Sequence, residues 1–165
     1  MEYKILLAGD GGQGIQLLSE LICRSAWSAG WEISHLPNYG LEQRGGSSLA
    51  FIKIADEKIS YPKFSVPDLL LLMSEQARQR TRAFQVAGTG LIDYQEYQAE
   101  LQAKKIPALG MNLFFLGLIS QILESKGMIK LEELKGFIQE KLASKPGWVE
   151  NQQAFQAGCD YNFKL

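Results

Sequence analysis

The sequence has few of the residues that build metal sites and disulfides. It contains two cysteines and one histidine in 165 residues, and Cys23 and Cys159 each lie far from any second cysteine. Zinc and iron–sulfur sites need clustered thiolate or imidazole ligands, so this spacing argues against a metal cluster held by this chain alone. We interpret both cysteines as reduced, inert thiols and expect a cytoplasmic protein, because unpaired thiols persist in that compartment.

Strong net charge and long hydrophobic segments are also absent. The formal net charge is −1 and the basic residues are scattered, so we expect no nucleic-acid partner. The amino terminus runs directly into a strand pattern, and we therefore expect no signal peptide. The longest apolar run, residues 113–122, is interrupted by Gly117 and Ser120 and is shorter than a bilayer requires. We expect no membrane partner.

What is present is an alternation of strand and helix patterns that predicts one domain over residues 1–165. The opening pattern is a strand at residues 3–8, a helix from Ile15 to a stop at Gly30, and a strand at residues 31–36. Such a β–α–β unit should place its two strands parallel. Further strands are predicted at residues 48–54, 69–73 and 91–92, and helices at residues 74–86, 111–125, 131–142 and 148–157, the last with Gly158 as its C-cap. The expected fold is α/β, a three-layer sandwich with a Rossmann-like, mostly parallel sheet and a helical C-terminal third.

A glycine-rich loop joins the first strand to the first helix. Residues 9–14 read Gly-Asp-Gly-Gly-Gln-Gly, which satisfies the pattern G-x-G-x-x-G. Glycines allow a tight turn and a close ligand, and the N–H groups at a helix start favour an anion such as phosphate. NAD enzymes usually have an acidic residue at the end of the second strand, but residues 36–38 are Leu-Pro-Asn. Two interpretations therefore stay open from this loop alone: a nucleotide site, or a turn needed for helix–strand packing.

A second irregular loop carries a family resemblance. Residues 39–46 read Tyr-Gly-Leu-Glu-Gln-Arg-Gly-Gly, similar to the Y-G-x-E-x-R-G-G signature in the γ domain of pyruvate and other 2-oxoacid:ferredoxin oxidoreductases. That family also begins with strand–G-x-G-G-Q-G–helix, which residues 9–14 match. The resemblance extends in the same order over nearly the whole chain. Its further matches are Ile59 and Pro62, Pro67 and Asp68, and Asn151, Ala154, Phe155 and Gly158.

The resemblance implies a γ subunit that does not catalyse the whole reaction alone. Enzymes of this family convert a 2-oxoacid and coenzyme A into an acyl-CoA and carbon dioxide and reduce ferredoxin. Thiamine diphosphate with Mg, and iron–sulfur clusters, supply the chemistry, and the resemblance places them in partner subunits. The implied partners are α and β subunits, with a ferredoxin-like δ subunit as a further candidate and ferredoxin itself as an indirect one. Among 2-oxoacids we lean slightly to 2-oxoglutarate, because separate short γ chains are frequent in that branch.

The resemblance also implies that this subunit helps to bind coenzyme A. Backbone donors of the glycine loop would contact a phosphate, and Arg44 would add a charge-assisted contact. Gly45 and Gly46 allow close backbone approach, and Asn112 opens a helix and offers its amide. The predicted coenzyme A-binding residues are Gly9, Gly11, Gly12, Gln13, Gly14, Arg44, Gly45, Gly46 and Asn112.

No catalytic residue is predicted, because no nucleophile–base grouping stands out in the sequence. His35 reads as a packed or half-exposed ring, and Asp93 as the end of a strand at the sheet edge where ligands gather. Two alternatives to the γ subunit remain: a stand-alone nucleotide- or CoA-binding regulatory module, and a free-standing NAD- or flavin-dependent reductase. The reductase is disfavoured by the end of the second strand.

Overall fold

The computed structural model describes residues 1–39 and 46–162. The first two thirds of the described chain contain the five strands and three helices, and the last third is helical. In chain order they are β1 (Glu2–Asp10), α1 (Ile15–Ser28), β2 (Glu32–Tyr39), β3 (Ser47–Ala55), β4 (Leu69–Leu72), α2 (Glu75–Arg80), β5 (Gly90–Asp93), α3 (Gln98–Ala103), α4 (Met111–Ser125), α5 (Leu131–Leu142) and α6 (Trp148–Asp160). Short 3₁₀ turns occur at Arg82–Phe84, Tyr94–Tyr97 and Ala108–Gly110.

The strands form one mixed sheet in the order β2-β3-β1-β4-β5. β1, β4 and β5 are parallel neighbours, whereas β3 is antiparallel to both β1 and β2. Four of the five strands therefore point in one direction, which confirms the predicted α/β sandwich. β2 does run in the same direction as β1, but β3 lies between them. The β–α–β pattern predicts the relative direction of β1 and β2, but it does not indicate that another strand lies between them.

The two faces of the sheet bury two separate cores. Ile5 and Leu7 of β1 face the larger core, which also contains side chains of α1, α4, α5 and α6. Leu6 and Ala8 face a smaller core, in which Ala77 of α2 is buried. All four of these β1 side chains are fully buried, as expected of a central strand that is covered on both sides.

Helix α4 is the central helix of the larger core. Together with the preceding turn, residues 108–125 are long and apolar enough to span a membrane by length and composition, a longer stretch than the sequence analysis identified. However, 67% of this stretch is buried inside the protein. Phe114 and Phe115 are fully buried and pack edge to face, with ring centroids 5.4 Å apart. We therefore assign α4 to the core.

The predicted C-cap at Gly158 is wrong. Gly158 lies inside α6, which continues to Asp160, and it does not adopt the positive φ of a capping glycine. It lies against Gly117 of α4 instead: a Cβ at Gly158 would collide with the carbonyl oxygen of Phe114 and lie 3.0 Å from the Gly117 Cα. The two glycines thus let the α4 and α6 backbones touch.

The helix predicted over residues 74–86 is shorter in the structure. Ser74 caps α2 by accepting the N–H of Ala77 at 3.0 Å. At the other end the Thr81 hydroxyl donates to the Ala77 carbonyl at 2.7 Å, and the chain continues as a 3₁₀ turn at Arg82–Phe84. Side-chain bonds of this kind compete with helical propagation, which explains the early end.

Candidate functional site

The glycine loop lies at the carboxyl end of β1, where the sheet changes winding direction. β1 and β4 are adjacent parallel strands, but α1 packs against the larger core and α2 against the smaller one. The connections after β1 and β4 therefore leave toward opposite edges of the sheet. In open α/β sheets, the crevice at such a topological switch point is the usual place for a ligand.

The glycines of this loop serve two different purposes. Gly12 and Gly14 have φ angles of +90° and +80°, which favour glycine. No described atom lies within 4 Å of the place where a Cβ at Gly12 would be, so its outer side is open. A Cβ at Gly9, in contrast, would lie 2.8 Å from the Gln13 Oε1 and 3.0 Å from Ile15. Gly9 is therefore required for internal packing, and Gly12 and Gly14 for the loop conformation.

Gln13 holds the loop against the ends of two strands. Its Oε1 accepts the Asp10 N–H at 2.7 Å, and its Nε2 donates to the Met73 carbonyl at 3.1 Å. Met73 directly follows β4, so one side chain bridges the crevice between β1 and β4. This arrangement gives Gln13 a loop-shaping role beside the ligand-binding role that the resemblance implies.

Two further polar bridges were not predicted. The Ser74 hydroxyl donates to Asp10 Oδ1 at 2.6 Å, which ties the loop to the start of α2. Gln16, in the first turn of α1, donates to the Ser48 hydroxyl and the Leu49 carbonyl, both at 3.0 Å. Each bridge joins residues at least 32 positions apart, and of the three side chains Ser74, Gln16 and Ser48 none belongs to a recognised motif, so no sequence spacing could have paired them.

The second predicted loop meets the first one at Gly46. The Gly11 N–H donates to the Gly46 carbonyl at 2.8 Å, which brings together two of the predicted binding residues. Arg44 and Gly45, which the resemblance also assigns to the site, lie outside the described residues. Their contribution stays a prediction.

Asn112, the last predicted residue, contacts Gly14. It is 7% exposed, and a Cβ at Gly14 would collide with its Nδ2. The Asn112 Oδ1 accepts the N–H of Leu113 at 2.8 Å, which directs the other side of the amide toward Gly14. The contact therefore joins the N-termini of α1 and α4, which are 14 and 15 residues long.

Two helix N-termini that meet in this way favour a negative charge between them. Each helix contributes the equivalent of about half a positive charge at its first turn. Among the described residues, no hydrogen bond uses the backbone N–H groups of Gly12, Gly14 or Ile15. Open N–H donors at a helix start are suited to an oxyanion such as phosphate.

His35 and Asp93 have contacts elsewhere. The Nε2 of His35 is buried and has no hydrogen-bond partner within the described part of the chain. Burial lowers the pKa of His35, an effect that the nearby Glu20 carboxylate partly offsets. Asp93 is 3% exposed, pairs with Arg78 Nη1 at 2.5 Å and accepts the Gln95 N–H at 3.1 Å. None of these contacts involves the glycine loop.

The described residues do not fit a metal centre. Across residues 1–39 and 46–162, no three His, Cys, Asp or Glu side chains group so that they could hold a metal ion. Burial raises the pKa of Cys23 to about 12 and also raises that of Cys159. Both thiols therefore stay protonated near neutral pH in this structure.

Comparison with known proteins gives a consistent family match. The sequence model of the family "Pyruvate ferredoxin/flavodoxin oxidoreductase" matches residues 4–161. The chain is 43% identical over 79 residues to the 2-oxoglutarate synthase subunit KorC of Methanothermobacter marburgensis, covering 47% of this chain and 42% of KorC. It is 32% identical over 110 residues to the ketoisovalerate oxidoreductase subunit VorA of Methanothermobacter thermautotrophicus, covering 67% of this chain and 23% of VorA. The chain thus spans less than half the length of these two relatives.

A third relative matches from end to end. The common γ subunit of the pyruvate/ketoisovalerate oxidoreductases of Thermococcus kodakarensis is 24% identical over 174 residues, covering 93% of this chain and 94% of that subunit.

Two solved structures share the fold at 20% and 21% identity. The 2-oxoglutarate:ferredoxin oxidoreductase of Magnetococcus marinus, with 2-oxoglutarate, coenzyme A and succinyl-CoA bound, matches with a TM-score of 0.80 over 96% of this chain and 30% of its own. The γ subunit of a keto/oxoacid ferredoxin oxidoreductase of Geobacter sulfurreducens matches with a TM-score of 0.70 over 96% and 94% of the two chains.

Proposed function

The chain belongs to the pyruvate ferredoxin/flavodoxin oxidoreductase family, and on this premise we propose that it is the γ subunit of a 2-oxoacid:ferredoxin oxidoreductase complex. The complex would convert a 2-oxoacid, coenzyme A and oxidised ferredoxin into an acyl-CoA, carbon dioxide and reduced ferredoxin. The end-to-end matches to two proteins named as γ subunits support this role. They also leave little support for a stand-alone regulatory module or an independent reductase.

Within that complex, we propose that this chain binds a phosphate of coenzyme A. The observation that carries the proposal is the contact between Gly14 and Asn112, because it joins two helix N-termini at the switch point of the sheet. In this proposal the open N–H groups of Gly12, Gly14 and Ile15 donate to phosphate oxygens, and the Asn112 Nδ2 adds a side-chain donor. Arg44 would add a charge from the second loop.

The chemistry of the reaction falls to other subunits in this proposal. Thiamine diphosphate supplies the carbanion chemistry and iron–sulfur clusters carry electrons to ferredoxin. In this division of labour the present chain positions coenzyme A. The α and β subunits, and a δ subunit where one exists, are the proposed holders of the other cofactors.

The substrate is proposed as a class, the 2-oxoacids. The three KorC relatives that are 41–43% identical are named for 2-oxoglutarate, which supports the slight lean to that substrate. The ketoisovalerate and pyruvate/ketoisovalerate relatives keep other 2-oxoacids open. A cytoplasmic location likewise stays a prediction.

Reconstitution tests the subunit assignment. We expect the purified chain to be colourless and inactive, and to restore 2-oxoacid- and CoA-dependent viologen reduction when it is added to α and β subunits that lack it. Omitting this chain should abolish or strongly reduce turnover. Full turnover without it, or oxidation of NADH by the chain alone, would contradict the assignment.

A titration of coenzyme A into the reconstituted complex tests the predicted role of Arg44. Loss of a charge-assisted hydrogen bond is worth about 1.5–3 kcal/mol, so Arg44→Ala should weaken coenzyme A binding by about 10- to 100-fold. Lys145→Ala is the matched control, because Lys145 is an exposed cation between α5 and α6. Equal affinities of wild type and Arg44→Ala would remove Arg44 from the site.

A further inference from the structure

The two faces of the sheet differ in how completely they are covered. Helices α1, α3, α4, α5 and α6 contribute to the larger core, whereas the other face has α2, a 3₁₀ turn and an irregular segment at residues 56–68. Beneath this thinner cover, Leu6 of β1 and Leu70 and Leu72 of β4 are fully buried. On the β2–β3 half of the same face, Leu36 and Phe51 remain only half-buried. In the part of the chain that the structure describes, the covering layer therefore ends before it reaches the β2 edge.

An apolar groove of about 400 Å³ occupies this uncovered half. Three phenylalanines form its wall: the Phe51 ring is 5.3 Å from the Phe64 ring and 5.6 Å from the Phe84 ring, both edge to face. Leu36 and Pro37 line the side next to the sheet edge. A groove with this lining favours aromatic or aliphatic groups, and its volume is within the range of pockets that hold compact ligands.

Basic side chains lie at the groove and near Phe84 in sequence. Lys63 is the only charged side chain among its described lining residues, and Arg80 and Arg82 are exposed on the short segment that ends in Phe84. None of these three cations forms an ion pair with a described residue. A partner for this surface should therefore combine apolar side chains with acidic ones.

We propose that this groove, which we call the phenylalanine groove, is a docking site for another subunit of the complex. The occupant is a segment that inserts an apolar or aromatic side chain between Phe51, Phe64 and Phe84 and places acidic residues near Lys63 and Arg82. The proposal rests on the proposed function, since it needs the chain to be a subunit.

Two other modes of occupancy fit less well. In a symmetric dimer of this chain, the same patch would face itself and bring Lys63 and Arg82 toward like charges. Addition of a strand to the β2 edge would meet Pro37, which has no N–H to donate to a ladder. The cationic rim and the proline thus favour side-chain insertion by an acidic partner over self-association or strand addition.

Charge reversal tests the electrostatic half of the proposal. The double variant Lys63→Glu/Arg82→Glu should weaken association with the α and β subunits at least about 10-fold, measured as the dissociation constant on an immobilised subcomplex. Added salt should weaken wild-type association more than that of the variant. Lys145→Glu, which reverses an exposed cation elsewhere, should leave the dissociation constant unchanged.

Filling the groove tests its apolar half. Asn38 is exposed and lines the groove, so Asn38→Trp should occupy it without disturbing the core, and association should fall about 10-fold at an unchanged melting temperature. Wild-type association of both the double variant and Asn38→Trp would overturn the proposal. So would a wild-type homodimer that Asn38→Trp converts to monomers, because the occupant would then be a second copy. If the wild-type chain itself does not bind the other subunits, the subunit assignment fails, a result that is visible before any variant is made.

Discussion

Glycine serves different purposes in the loop before α1 and at the contact between α4 and α6. Gly12 and Gly14 adopt positive φ angles, and no described atom lies within 4 Å of a Cβ added at Gly12. Gly117 and Gly158 lie inside helices, and an added Cβ at either would press into the backbone of the facing helix. The first pair sets the conformation of the loop at the candidate site. The second pair has no side chains, so the backbones of the two helices can touch.

Substitutions in these two regions should therefore affect different properties of the protein. A Cβ added at Gly12 would meet no described atom, whereas a Cβ added at Gly158 would meet backbone atoms of Phe114 and Gly117 in the buried middle of α4. We therefore expect substitutions at the helix crossing to act on the free energy of unfolding. Substitutions at the loop should act on ligand binding as well, with smaller losses of stability.

Gly158→Ala should have the largest effect on stability. Its Cβ would collide with the Phe114 carbonyl oxygen, so α4 and α6 must separate, and overpacking of this kind costs about 3 kcal/mol. Urea denaturation should show the loss directly, accompanied by a fall in melting temperature of roughly 6–12 °C. A loss below about 1 kcal/mol would mean that the helices do not cross through these glycines.

Gly14→Ala should have an intermediate effect. Alanine at φ +80° is strained, and its Cβ would also displace the Asn112 amide, so we expect a loss of about 2 kcal/mol. Gly30→Ala is the matched control, because it has a similar φ of +94° but no atom within 4 Å of the added Cβ. Equal losses in thermal denaturation for both variants would show that Asn112 does not press on Gly14.

Gly136→Ala should have the smallest effect, and one of opposite sign. Gly136 lies within α5, is exposed, and has no atom within 4 Å of an added Cβ. Alanine in an open helical position is better than glycine by about 0.5–1 kcal/mol, so the variant should be slightly more stable than wild type in urea denaturation. A destabilised variant would contradict the open environment of this glycine.

Much of the fold could be predicted because local patterns agree with it. The strand–glycine loop–helix opening and the apolar α4 were both visible as hydrophobic periodicity. The position of β3 between β1 and β2 could not be predicted, because β3 is apolar along most of its length and this pattern fits a strand of either direction. Gly158 was misassigned for a related reason: a glycine near the end of a helical pattern indicates a cap unless the facing helix is known.

The candidate site was predictable as a set of residues and not as an arrangement. Gly14 and Asn112 were each singled out by motif position, and the structure adds that they touch. The bridges from Asp10 to Ser74 and from Gln16 to Ser48 join residues that no sequence spacing connects. The phenylalanine groove was missed as well, since its rings come from three separate segments.

The most direct test of the site is coenzyme A titration into the reconstituted complex with Asn112→Asp. Aspartate is nearly isosteric with asparagine and is favoured in the first turn of a helix, so the fold should be retained. Its charge would repel a bound phosphate, and we predict at least about 10-fold weaker binding, with no change for Gln139→Glu, which adds the same charge at an exposed position of α5. Equal affinity of Asn112→Asp and wild type would contradict a coenzyme A phosphate site where α1 and α4 meet.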